Sequence, residues 1–165
     1  MTSRHRGGRA AVRSLLAQLD EAYDRRSWHG TNLAGSLRGM NAAEAGWRPS
    51  PRRHSVWEVA VHAAYWKYAV WRGLAGEKRG SFPRKGSNWF PVPVPPTEAR
   101  WRADRALLGE CHRRLREAVA GLADADLGRR ATGKKETVGR LVRGVVAHDL
   151  YHAGQIQLLK RLRRG

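Results

Sequence analysis

The stretch at positions 137–162, TVGRLVRGVVAHDLYHAGQIQLLKRL, decides how the chain is read. Leu141, Val145, His148, His152, Gln155, Leu159 and Leu162 follow one another at steps of four, three, four, three, four and three. That is the a/d row of a helix that turns one side toward a bundle axis, starting near Thr137. Two histidines stand in the row, and histidine is a poor core residue unless both ring nitrogens find partners. One turn apart, their β-carbons lie about 5–6 Å from each other. Two imidazoles can then converge on one ion, with metal–nitrogen distances of about 2.0–2.1 Å. Gln155 continues the row and is a candidate site residue behind the ligands.

A second helix supplies the complement. Ser55, with Glu58 three residues on, forms a capping box. The helix behind it, to about Ala75, is apolar on most of its circumference, which makes it central in the fold or a partner-facing element. Its row Val59, His62, Trp66, Ala69 places His62 as a third ligand if this helix faces the last one. Three neutral imidazoles leave a divalent ion open positions for water or substrate, as a working site requires. The rival H-E-x-x-H protease reading does not fit. Asp149 stands where the glutamate should be, one methylene short of a general base. It lies off the row, toward a neighbouring helix or solvent.

Two more helices complete the pattern. Val12, Leu15, Leu16, Leu19, Ala22 and Tyr23 recur at helical spacing, and Leu33, Leu37 and Met40 suggest a short second piece. Thr97 caps a helix with Trp101, Leu108, Leu115 and Leu122 at seven-residue spacing, with Cys111 and Ala118 between them. Between the second and third long helices lies EKRGSFPRKGSNWFPVPVPP, residues 77–96, holding five of the seven prolines. A structureless connection of that length wants a reason. The preceding helix is about 30 Å long and an extended proline-rich segment covers about 3 Å per residue. The connection can therefore return along the whole bundle, pinned to its surface by Trp89 and Phe90, so that the next helix runs parallel to the one before. The fold expected is all-α, a four-helix bundle with one long crossover.

The 165 residues suffice for one domain, 1–165, with a basic tail over 1–8 expected to be flexible. The formal charge of +18 comes mostly from arginine. It predicts attraction to polyanions at low salt, but the basic residues are scattered, and no specific nucleic-acid binding is expected. Cys111 stands alone, which excludes an intrachain disulfide and cysteine-based zinc modules. No leader-like apolar run and no stretch of about 18 apolar residues occurs, so no membrane association and a cytoplasmic location are expected.

Three segments together, HSVWEVAVHAAYWKY (54–68), GSNWFPVP (86–93) and AHDLYHAGQIQLLKR (147–161), resemble the DinB superfamily of damage-inducible metal-binding bundles. The similarity runs from about Leu15 to Leu162. It implies an up-down-down-up helix order, a divalent ion (usually nickel or zinc) on His62, His148 and His152, and a homodimer. Some members are thiol S-transferases or isomerases that use a low-molecular-weight thiol as co-substrate; others are labelled metal-dependent hydrolases. The chain is therefore expected to activate a thiol or water nucleophile toward a small-molecule substrate. A metal-bearing stress protein without catalysis is the alternative. His29, in the break SWHG, is a candidate base or substrate contact at the bundle mouth. His54, His112 and His5 hold no place in a row and are set aside, and Cys111 reads as a buried, inert thiol.

Overall fold

The computed structural model describes residues 8–77 and 80–165. Four long helices form the bundle: α1 (Ala10–Tyr23), α4 (Val56–Ala75), α5 (Glu98–Ala120) and α6 (Val138–Arg164). Two short helices, α2 (Leu33–Ser36) and α3 (Ala42–Gly46), replace the single short piece expected over 33–40. Asn32 and Asn41 each start one by accepting a backbone N–H three residues on, and two such caps make two helices rather than one.

The expected caps of the long helices are present. Ser55 and Glu58 close a reciprocal capping box at α4, Thr97 caps α5 and Thr137 caps α6. Gly76 ends α4 at φ +78°, a backbone conformation that favours glycine. α4 is the central helix, buried on most of its circumference between α5 and α6.

Side-chain partners give the helix directions. Trp57, early in α4, donates its indole N–H to Asp104, early in α5, at 2.7 Å, and Lys67 lies 3.3 Å from His112 further along both. α4 and α5 therefore run parallel. His62 on α4 meets His152 on α6 while Val70 packs with Val145, so α6 runs antiparallel to α4. Arg116 on α5 pairs with Asp20 on α1 at 2.6 Å, and Arg9 reaches the carbonyl of Ala120, so α1 opposes α5. The order is up-down-down-up, and the fold is the all-α bundle expected.

The crossover returns along the bundle between α4 and α5. Phe90 is buried against Tyr65 and Phe82, and Trp89 is half-buried. Arg84 holds the loop by donating to Asp104 at 2.5 Å and to the Pro91 carbonyl at 3.1 Å. Of the expected basic tail, residues 1–7 lie outside the described residues. Gly8 is tied down, its carbonyl accepting the Asp124 N–H at 3.1 Å.

The register of α6 differs from the sequence reading by one step. The buried row is Val138, Val142, Val145, Asp149, His152 and Ile156, with Ala153 beside it. His148, Gln155 and Leu159 are half-buried on its flank, and Leu162 is exposed. Both rows have the same spacing and share Val145 and His152. Apolarity does not separate them, since Leu141, Leu159 and Leu162 of the first are matched by Val138, Val142 and Ile156 of the second. The second prevails because Asp149 enters the core on an ion pair with Lys67 of α4. Lys67 in turn displaces Trp66 and Ala69, both half-buried, from the expected row of α4.

Candidate metal centre

His62 is placed by the middle of α4, and His148 and His152 by successive turns of α6. The antiparallel packing brings the three Nε2 atoms together: 3.1 Å from His62 to His148 and 3.0 Å from His148 to His152. Among the described residues they form a group that could hold a metal ion.

Each ring's other nitrogen shows what those Nε2 atoms can do. His62 Nδ1 lies 2.7 Å from the Asn88 carbonyl, which can only accept, so Nδ1 carries the proton and Nε2 a lone pair. His152 Nδ1 lies 2.7 Å from Gln155 Oε1, with the same consequence. His148 has one proton in its neutral form and two acceptors facing its Nε2, so a proton there completes only one of the two contacts. A cation would satisfy all three lone pairs. Two nitrogens each about 2.1 Å from one ion are separated by about 3.0 Å at a right angle and about 3.4 Å at a tetrahedral one. The observed spacings lie at the short end of that interval, so the donor set fits a divalent ion. The unpaired element is His148 Nδ1, buried with no partner.

Burial keeps the cluster neutral. Desolvation is the main cause that pushes His148 down to about 3, helped by the neighbouring rings of His152 and His62 and by Lys67. Desolvation lowers His152 to about 4 against the opposing bond to Gln155. It lowers His62 as well, against the bond to Asn88. Imidazoles that are neutral at neutral pH are ligands without first losing a proton.

The crossover completes the site. The Trp89 indole stacks on His62 at 3.9 Å with its plane 8° away, and His54 covers its other face at 3.6 Å and 3°. His62 is thus fixed by the Asn88 carbonyl at one edge and an aromatic plane on its face. His54, set aside in the sequence, belongs to this stack and lines the cavity above the cluster. It precedes its helix cap, where no periodicity could mark it.

That cavity measures about 740 Å³, within the range of small-molecule sites. His62, His148 and His152 form its floor, with Gln155, Trp89 and Val59 around them. Gln155 therefore both orients His152 and faces the cavity. His29 is elsewhere. It is exposed, in the turn beside the fully exposed Trp28, and does not line the cavity.

Sequence reasoning missed a buried polar group next to the centre. Lys67 and Asp149 are both wholly buried and paired. Lys67 also lies 3.3 Å from His112 Nδ1 and 5.0 Å from the Tyr23 ring centroid, and Tyr23 stacks on His112 at 3.7 Å. Burial drives the Asp149 carboxyl upward while Lys67 opposes it. The signal was a lysine in an otherwise apolar helix and an acid beside the row, each legible only once the other was known to face it.

Among the described residues no helix is long and apolar enough to cross a membrane. Neither a curated protein nor a solved structure matches the chain. A family model does match, over residues 25–156, and it describes the DinB superfamily. The matched segment contains all three histidines, the crossover that orients His62 and the glutamine that orients His152; the chain belongs to the DinB superfamily.

Proposed function

We propose that this protein is a metal-dependent enzyme of the thiol S-transferase type, with one divalent ion, nickel or zinc, held by His62, His148 and His152. The observation that supports the reading is the convergence of three Nε2 lone pairs on the floor of an open cavity. When bound, such an ion lowers the pKa of a thiol or water in the cavity and supplies a nucleophile near neutral pH.

The chain's own residues hold the donors in place. Asn88 and Gln155 fix the protons on Nδ1 of His62 and His152, and Trp89 shields His62 from one side. Among the described residues no carboxylate side chain lines the cavity, so none of them offsets the cation with opposite charge. Cys111 is not the reacting thiol: it is buried on α5 away from the cavity, and burial pushes it up to about 11. A low-molecular-weight thiol is therefore the co-substrate and an electrophilic small molecule the substrate. Gln155 acts as a positioning residue, and His29 takes no part in the site as proposed. The cytoplasmic location follows the reducing conditions that a thiol co-substrate needs. A homodimer is included, formed on the α4–α6 face where Trp66 and Leu141 are half-buried and Gly144 is exposed. Sedimentation at twice the chain mass would bear that out.

The test is elemental analysis of untagged protein, followed by a panel of electrophiles with and without a low-molecular-weight thiol. About one divalent ion per chain is expected, lost in the His148→Ala, His152→Ala double variant, with thiol-dependent turnover that disappears on metal removal. Undiminished metal in the double variant would reject the centre. Metal-dependent turnover with water alone would make the protein a hydrolase.

A further inference from the structure

The wall of the cavity is chemically divided. On one side is the turn ahead of α4, where the Arg53 N–H donates to the Ser50 carbonyl at 3.0 Å and the Arg53 side chain lines the cavity. Among the described residues its guanidinium has no carboxylate or carbonyl partner. Glu58, five residues further on, is taken by Arg48 at 2.6 Å and by the Ser55 N–H at 2.8 Å. On the other side α6 presents Tyr151, Leu158 and Leu162, which are 64%, 57% and 54% exposed, with Leu159 beside them. These large apolar groups line the cavity along one flank of a single helix. An exposed apolar wall in the same cavity as an unpaired cation is an amphipathic template.

We propose that the cavity selects a small carboxylate-bearing molecule with an apolar body, Arg53 taking the carboxylate and Leu158 and Leu162 the body. This rests on the cavity being the substrate site, as proposed above. Arg53 offers a planar fork of donors that matches a carboxylate bidentately. His54 stands next to it at the rim, stacked on Trp89, so the anion enters between a guanidinium and an imidazole edge. An amine finds no carboxylate among the described lining residues and faces the Arg53 cation, so it gains no charge complement on this side.

Calorimetric titration of the full chain decides the matter, with and without one equivalent of zinc, at physiological ionic strength. The probes are octanoate, octanamide, octylamine and acetate. Octanoate should bind about tenfold more tightly than octanamide, the value of one charge-assisted contact, and octylamine more weakly than either. Acetate, lacking the apolar body, should not register. Arg53→Ala should erase the advantage of octanoate and leave octanamide unchanged. Arg102→Ala, an exposed arginine of α5 outside the cavity, should change nothing, which separates local contact from attraction by net charge. Leu158→Ser should weaken octanoate and octanamide by the same factor. Equal affinity for acid and amide, or an advantage that survives Arg53→Ala, overturns the inference. If that surviving advantage requires zinc, the ion takes the carboxylate, and the metal centre stands while the role of Arg53 falls. An Arg53-dependent advantage in protein that binds no zinc upholds the inference and removes the metal centre instead.

Discussion

Lys67 and Asp149 bring two opposite charges into the core beside the histidine cluster, where taking each out of water costs several kcal/mol. Their mutual attraction offsets that cost only while both are present. Lys67→Met alone should therefore destabilise the protein by about 3–5 kcal/mol, and adding Asp149→Leu should restore most of it. Urea unfolding of the three proteins measures this, and a double variant no more stable than the single would show that the pair does more than cancel itself. His112, on the far side of Lys67, gives a pH signature. Desolvation first, then the charges of Lys67 and Arg116, push it down to about 3, with Tyr23 stacked on its face. Its folded pKa lies below its unfolded value of 6.5, so between the two only the unfolded chain takes the proton. Stability is present above about pH 6.5 and is lost as pH falls toward 3. His112→Phe should flatten the decline between pH 7.5 and 5 by about 2 kcal/mol, read as the difference in unfolding free energy against the parent. The three triad histidines and the Ser55 and Thr97 caps were legible in the sequence because each carries a spacing rule. His112 and Lys67 carry none, since burial of a polar group depends on a partner from another helix.

At the scale of elements, the crossover 76–97 does more than connect α4 to α5. It supplies Asn88 and Trp89, which between them orient one of the three donors. Gly86 controls its entry to that position. Its φ is +151°, and a β-carbon there would stand 2.8 Å from Phe90 Cδ1, in the buried ring that anchors the loop. Gly86→Ala must move Phe90 and with it the neighbouring Asn88 and Trp89. The expected outcome is unchanged helicity by circular dichroism with zinc affinity about tenfold weaker, as for loss of a group that orients a ligand. Gln155→Leu, acting on His152 from α6, should weaken affinity by a similar factor. An undiminished zinc titration in either variant would show that ring orientation does not limit binding. The length and proline content of this loop announced that it travels along the bundle. Its contribution to the site stayed hidden because the Asn88 contact is made by backbone, which any residue offers. The register of α6 failed for the opposite reason: two rows of equal spacing compete, and only the Lys67 partner breaks the tie.

At the scale of the whole molecule, the helix order follows from one fact of length, since a crossover able to span α4 makes α5 parallel to it. What the fold does not use is the charge. With 32 basic and 14 acidic side chains, the acids are largely engaged, Asp20 by Arg116, Asp104 by Arg84, Glu44 by Arg163, and Glu110 with Glu117 by Arg113. Among the described residues the arginines left over are dispersed apart from a modest cluster, Arg161 with Arg164, in the last turn of α6, short of the extended basic face of a base-reading element. Dispersed cations contact phosphates without reading sequence. Binding to duplex DNA should therefore appear at about 50 mM salt and fall by orders of magnitude at about 200 mM, with log K linear in log salt. The check is fluorescence anisotropy with duplexes of unrelated sequence across that range. Affinities for different duplexes should agree within a few-fold at every salt concentration. Discrimination of about a hundredfold at physiological salt would mean that some of these arginines form a reading surface, and would move the +18 charge from a property of the solvated exterior to a part of the function.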